Sequence, residues 1–308
     1  MSLNILAFGE ILWDILPDRS ILGGAPFNFA YRVNSLGDRG IFVSRLGQDK
    51  LGRKARAQVK KLGIDTSFLQ TDEHYPTGTV HVSFDANNTP DYVIVPDVAY
   101  DHIQPSDKLM TACKNAACVC FGTLIQRTTT SRETLETVLD ASSGALKFLD
   151  INLRKKCFTK SAVLFSLKHA DILKLNDDEV RQLGTILDFS FNSFQDFCQY
   201  AIKKWQLQYV LVSFGEYGAC ACSLNGEFVY SPGYKVNTID SLGAGDAFSA
   251  GFLYNILRHK SLKESCKFGN VLGALVAATQ GATEPIEKQQ INDFSQSESK
   301  RLYHFEFA

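Results

Sequence analysis

Apolar and polar positions fall into short alternating blocks along the chain. "NILAFG" (4–9) and "GIFVSRLG" (40–47) read as strands, each with a helical pattern after it. Further strands are predicted at "ACVCFG" (117–122), "ALKFLDIN" (145–152), "ADILKLN" (170–176) and "YVLVSFG" (209–215). Helical stretches lie between them at 130–142, 159–168 and 193–204, and two Ala-, Gly- and Leu-rich helices follow at 244–258 and 262–279. This alternation predicts a parallel sheet covered by helices on both faces. One region departs from the rhythm. "TGTVHVSFDANNTPDYVIV" (77–95) carries two period-2 runs around a turn at Asp85–Pro90, which predicts a hairpin. "ILWDIL" (11–16) is strand-like too and stands outside the helical alternation. Together they predict a small β layer, contributed by about 11–24 and 68–96, on a single α/β domain spanning 1–308. Such a layer can be an interaction surface or a lid over the C-terminal edge of the parallel sheet, where open α/β folds bind ligands.

Composition narrows the partners. Apolar residues make up 45% of the 308 and charged residues 21%, enough for an ample core. The 32 basic and 33 acidic residues are spread evenly and give a net charge of -1, so no basic field exists to hold nucleic acid or a membrane surface. No apolar run reaches the roughly 18 residues of a membrane span. The start, "MSLNILAFGE", lacks a basic segment ahead of a long apolar stretch, so a cytoplasmic location is expected. Two C-x-C pairs, Cys118/Cys120 and Cys220/Cys222, each put two thiols on one strand face, a spacing that could clamp a metal. With no C-x-x-C or His-rich partner, the favoured reading is small buried side chains in a reducing compartment.

The candidate chemistry starts at "DSLGAGDAFSAG" (240–251). Gly243 and Gly245 free the backbone, Ala244 adds little bulk, and a helix follows at once. The N–H groups of 243–246 therefore converge at a positive helix end, which makes an anion site. Asp246 at that spot is either a first-turn cap or a base that accepts a hydroxyl proton. A P-loop is excluded because no G-x-x-x-x-G-K-[ST] occurs, and a dinucleotide G-x-G-x-x-G fails because Phe248 stands three after Gly245. Upstream, Asp14 interrupts an apolar strand, which means a surface edge or a ligand-facing position. In "GGAPFNFA" (23–30), Gly23-Gly24 permits close backbone approach and Pro26 suits a first turn. Asn28 there is a cap or a donor–acceptor for vicinal hydroxyls. "DINLR" (150–154) ends a strand with Asn152 and Arg154, and "LNDDE" (175–179) sets Asn176 and Glu179 one turn apart. That spacing fits a capping box, or Glu179 ordering water around Mg²⁺ while Arg154 neutralises phosphate. "VSFGEYGA" (212–219), with Ser213, Gly215 and Gly218, is a glycine-punctuated turn able to lie against a nucleotide.

"DSLGAGDAFSAGF", "GGAPFNFA" and "NDDE", in this order and spacing, resemble the ribokinase-like (PfkB) carbohydrate kinases over essentially the whole chain. The resemblance implies a ribokinase-like α/β fold, a mostly parallel sheet with helices on both faces plus a β-sheet lid. It implies ATP-dependent phosphorylation of a sugar hydroxyl, with Asp246 as base and Gly243-Ala244-Gly245 as anion hole. Asp14, Asn28 and Arg154 would serve the sugar, with Gly23-Gly24 as the lid hinge. Asn176, Ser213, Gly215, Gly218, Gly243, Gly245 and Asn270 would serve the nucleotide. Glu179 would reach Mg²⁺ through water, and Asp240 with the carbonyls near Gly281 would form a monovalent-cation loop for K⁺. The lid is the expected homodimer surface. "GGAPFN", "PTGTV", "FGTLIQR" and "DINLR" are similar to bacterial fructokinases, so D-fructose is the expected acceptor. Ribose, another ketose or a sugar acid remain open, as does a non-catalytic sugar-binding regulator. Ser241, where Thr is usual, and the bulky Phe27 and Phe29 depart from the pattern.

Overall fold

The computed structural model describes residues 2–16, 18–84, 90–297 and 299–308. In chain order the strands are β1 (Asn4–Phe8), β2 (Leu12–Ile15), β3 (Ser20–Gly23), β4 (Arg39–Gly47), β5 (Leu69–Asp72), β6 (Gly78–Phe84), β7 (Pro90–Ile94), β8 (Cys118–Phe121), β9 (Leu146–Asp150), β10 (Ile172–Asn176), β11 (Tyr209–Ser213), β12 (Ala219–Ser223), β13 (Phe228–Ser231), β14 (Gly233–Tyr234) and β15 (Arg301–Leu302). The helices are α1 (Ala25–Ser35), α2 (Lys50–Lys61), α3 (Asp107–Lys114), α4 (Thr129–Ala141), α5 (Lys160–His169), α6 (Asp177–Leu187), α7 (Phe194–Trp205), α8 (Ala244–Ile256), α9 (Leu262–Ala277) and α10 (Lys288–Gln296).

Nine strands form the large sheet in the order β13-β12-β11-β10-β9-β8-β1-β4-β5. The strands from β11 through β5 run parallel, and β12 and β13 complete one edge antiparallel. Both faces are covered, which explains why "CVCF" and "ILKLN" read as near-continuous apolar runs. One cluster of buried side chains packs α3 to α7 on one face, with Leu109, Val138, Val163, Val180 and Phe197 among its members. The other packs α1, α2, α8, α9 and α10 on the opposite face through residues such as Phe27, Ala55, Phe252, Leu272 and Ile291. All four C-x-C cysteines lie in these cores, and every cysteine is a free thiol. Among the described residues no group of three or more His, Cys, Asp or Glu side chains could hold a metal ion.

A second, four-stranded sheet has the order β3-β2-β6-β7. β2 pairs parallel with β6, and the other neighbours are antiparallel. It combines the two predicted insertions, with one change of boundary. Within 68–96, Leu69–Asp72 does not join this layer but pairs parallel with β4 at the edge of the large sheet. Period-2 patterning marks a strand without saying which sheet it enters. Apart from Pro90, the predicted turn at Asp85–Pro90 lies outside the described residues. No described helix is long and apolar enough to cross a membrane.

Candidate active site

The residues singled out above gather where the parallel strands end. Gly243 is the N-cap of α8, at φ 76, with no side-chain cap. That backbone region is costly for any residue with a Cβ. Space forbids one as well, since a Cβ on Gly243 would overlap that of Ala282 and stand 2.9 Å from the Ala282 Cα. The N–H of Ala244 turns back to the Ser241 carbonyl at 3.2 Å. This narrows the donor set expected from 243–246, and the first-turn donors left for an anion are those of Gly243, Gly245 and Asp246.

Asp246 Oδ2 accepts a 2.9 Å hydrogen bond from Asn28 Nδ2, across 218 residues of chain. Asn28 is 3% exposed, and its Oδ1 is a buried acceptor without a protein partner. An unsatisfied buried acceptor costs about 1–3 kcal/mol, so this oxygen suits a ligand hydroxyl placed beside Asp246. Burial pushes the Asp246 carboxyl up and the Asp150 charge adds to it. The Asn28 hydrogen bond, Lys174 and Arg154 pull it back, leaving it at about 7. A carboxylate poised there is matched to accepting a proton near neutral pH.

β2 is flanked by β3 and β6, so Asp14 does not lie on an edge strand. Burial raises its carboxyl to about 6, with Arg154 opposing and Asp240 adding. Gly23 makes room for it, because a Cβ there would lie 3.1 Å from Asp14 Oδ2. Gly24 adopts φ 123 at the N-cap of α1, where a Cβ would stand 2.5 Å from the Glu10 carbonyl oxygen. Arg154 is exposed, with Nη2 3.4 Å from Asn152 Oδ1. Its charge lowers the carboxyls of Glu10, Asp14 and Asp246, so it faces the same cleft. Of the two phenylalanines beside Asn28, Phe27 packs into the core against Phe42. Phe29 lines a cavity of about 10 Å³ together with Glu10, Cys120, Asp150, Asn152 and Asp246.

Asn176 and Glu179 form the capping box that their spacing predicts. Asn176 Oδ1 accepts from Glu179 N at 2.8 Å, and Glu179 Oε2 accepts from Asn176 N at 2.8 Å. Glu179 Oε1 accepts from Leu153 N at 3.0 Å, which ties the "DINLR" loop to α6. A second cavity, of about 390 Å³, is lined by Gly245 together with Ser213, Gly215, Gly218 and Asn270. Its size suits a small organic ligand. Asn176 and Gly243 do not line it. Asn270 also holds the wall, donating from Nδ2 to the Ser231 carbonyl at 2.8 Å. Asp240 Oδ1 accepts from Leu242 N at 2.9 Å. Gly281, at φ 85, precedes a stretch whose Ala282 and Glu284 carbonyls accept from the buried Arg32 Nη2 at 3.2 and 3.3 Å.

Four residues of this centre were absent from the sequence-derived set: Glu10, Asp150, Lys174 and Ser249. Lys174 Nζ lies 3.0 Å from Asp150 Oδ1, and both side chains are buried. Their signal was a charge in an apolar strand, "ILKLN" and "LKFLD", which burial makes costly unless it is paired.

Residues 19–289 match the family profile described as pfkB family carbohydrate kinase. A fructokinase of Escherichia coli is 26% identical over 94% of this chain and 98% of its own length. An aminoimidazole riboside kinase of Salmonella typhimurium is 27% identical over 96% of each. Among solved structures, a fructokinase from Xylella fastidiosa with bound ATP superposes with a TM-score of 0.85 at 22% identity, covering 95% of this chain and 98% of its own.

Proposed function

The chain belongs to the pfkB family of carbohydrate kinases, and on that premise we propose that it transfers the γ-phosphoryl group of ATP to the 6-hydroxyl of D-fructose. The observation that carries this reading is the Asn28–Asp246 pair, with one amide nitrogen on the base and a buried acceptor oxygen beside it. A hydroxymethyl group there donates to Asn28 Oδ1 through a neighbouring hydroxyl and presents its own proton to Asp246. The sugar oxygen then bonds to the γ-phosphorus as the bond to the β,γ-bridging oxygen breaks. The proton passes to Asp246 and ADP leaves. Charge on the transferring group falls to the N–H groups of Gly243, Gly245 and Asp246, because such transfer depends on positioning and electrostatics more than on covalent help. Asp14 and Arg154 hold the remaining hydroxyls, the small sheet acts as lid on the Gly23-Gly24 hinge, and the cavity lined by Ser213, Gly215, Gly218 and Asn270 takes the nucleotide.

Bound with ATP, Mg²⁺ would screen phosphate charge. Both Glu179 oxygens already accept backbone N–H bonds, and no cluster of three ligands stands nearby among the described residues, so contact through water is the fit these residues offer. Asp240 and the Gly281 carbonyl are the proposed K⁺ ligands. A homodimer through the lid is the proposed assembly.

A sugar acid is the second reading. One observation favours it: an open cavity of about 510 Å³ beside the lid, lined by Lys155 and Lys156 as well as by Asp97 and by Arg127, which pairs with Asp101. ADP release measured over a panel of fructose, ribose, adenosine and a hexonate-type acid tests both. Fructose is expected to exceed ribose and adenosine by at least about tenfold in kcat/KM. Preference for the acid or for ribose would remove fructose from the reading, and no turnover with any acceptor would leave a sugar-binding regulator.

A further inference from the structure

A lysine and an aspartate occupy the floor under the anion-binding turn. Lys174 leaves β10 and Asp150 ends β9, 3.0 Å apart from Nζ to Oδ1 and buried from solvent. Asp150 Oδ2 lies 3.1 Å from Ser249 Oγ, one turn into α8, and the same hydroxyl lies 3.0 Å from the Gly245 carbonyl. The ammonium reaches the turn directly, since a Cβ on Gly245 would stand 3.4 Å from Lys174 Nζ. Burial alone would discourage a charged Lys174, yet Asp150, Glu179 and Asp246 outweigh it and hold the ammonium form above the usual lysine range. The pair thus reaches the backbone proposed to bind phosphoryl charge through Ser249, and it lies in the field of the proposed base.

We infer that Lys174 and Asp150 are positioning residues for the transfer: a buried ion pair that locks the Gly243–Gly245 turn through Ser249 and sets two opposed charges beside Asp246. The inference rests on the phosphoryl-transfer reading above. The groups facing Asp246 are few. Asp150 comes from β9, Lys174 from β10 and Arg154 from the loop after β9. Cys120 comes from β8 and Glu10 follows β1, both lining the same small cavity, while α1 brings only the neutral amide of Asn28. Asp150 raises the carboxyl and Lys174 lowers it. The two members of one ion pair therefore push the base in opposite directions.

The test uses the full chain and the acidic limb of the kcat/KM profile with its best sugar. Asp150→Asn keeps both hydrogen-bond partners and removes the like charge, so the limb moves to lower pH by about one unit or more. Lys174→Met removes the opposite charge and moves it to higher pH by a similar amount. If Lys174→Met fails to fold, Asp150→Asn with Lys174→Gln, which buries no charge, takes its place. Its limb returns to within about half a unit of the wild type, because the opposed effects cancel. Limbs that stay fixed, or move the same way in both single variants, overturn the inference and leave a merely structural pair. Titration of the Asp246 carboxyl by ¹³C NMR, assigned with Asp246→Asn, reads the same shifts without turnover. A chain that phosphorylates no sugar thus refutes the kinase reading separately.

Discussion

Replacing Asp246 by Asn separates the two roles that an acid in a helix's first turn can play. As a partner of the helix dipole it stabilises the fold, and its loss costs about 0.3–1 kcal/mol. As a buried base it burdens the fold. Its carboxyl stands at about 7 instead of 3.8, and each unit corresponds to about 1.4 kcal/mol, so ionised Asp246 opposes folding by up to about 4 kcal/mol. The unfolded chain releases this proton near 3.8 and the folded chain near 7. Between those values the folded state holds the extra proton, so stability falls as pH rises, and above about 7 the penalty is complete. Partial exposure of the side chain trims the figure to about 2–3 kcal/mol. An Asn at 246 still accepts from Asn28, so little of the packing is lost.

Asp246→Asn should therefore melt higher than the wild type at pH 8, by about 3–5 °C for a chain of this size. The gap should narrow by about 1 kcal/mol on going to pH 5.5. The same variant should lose at least about 10²-fold in kcat, the lower end for a missing general base, with sugar and nucleotide still bound. Thermal melts at the two pH values and a coupled ADP assay cover both arms. A variant that melts lower at pH 8, or whose gap ignores pH, would refute the buried-base argument in favour of the helix-dipole role. Near-normal turnover would refute the catalytic one.

Two further outcomes follow from the cleft and its cover. Asp14→Asn should raise the sugar KM at least about tenfold if the carboxyl holds sugar hydroxyls, and it should melt no lower than the wild type at pH 8, since ionising a carboxyl that burial has lifted burdens the fold. Because burial lifts that carboxyl to about 6, sugar binding in the wild type should weaken as pH falls through 6, and a flat KM from pH 5 to 8 would count against it. Hydrogen exchange across Leu12–Ile15 and Gly78–Phe84 should slow when sugar is added, if the four-stranded sheet closes over it. Equal protection with and without sugar would make that sheet a fixed surface.

What the sequence disclosed and what it hid divide along a physical line. The turn at Gly243–Gly245 was legible because its demands are local: a left-handed glycine, a small neighbour and a helix start within four residues. The parallel core was legible because strands buried on both faces must be apolar along their length. β5 was misassigned to the small layer because strand pattern carries no information about the neighbour, and only the fold sets it beside β4. Spacing offered Asn176 and Glu179 as a cap or as ion-ordering residues, and the cap is realised. Each Glu179 carboxylate oxygen accepts one backbone N–H, one of them from the "DINLR" loop, and keeps a lone pair for water.

The deeper omission concerns proton affinity. Asp246 is recognisable from its motif, but whether it can act as a base depends on a sum over Asp150, Lys174, Arg154 and Asn28, which come from three other parts of the chain. None of these distances has a sequence signature, since the strand order brings β9 and β10 together and α8 lays Asp246 across their ends. Yet each charge left a trace in being expensive where it stands. Lys174 between Leu173 and Leu175 in a buried strand survives only with a counter-charge, and Asp150 at the end of the neighbouring strand supplies it. A lone charge in an apolar strand is therefore a reason to search adjoining strands for its partner before calling either residue structural. Here that search leads to the floor of the Gly243–Gly245 turn.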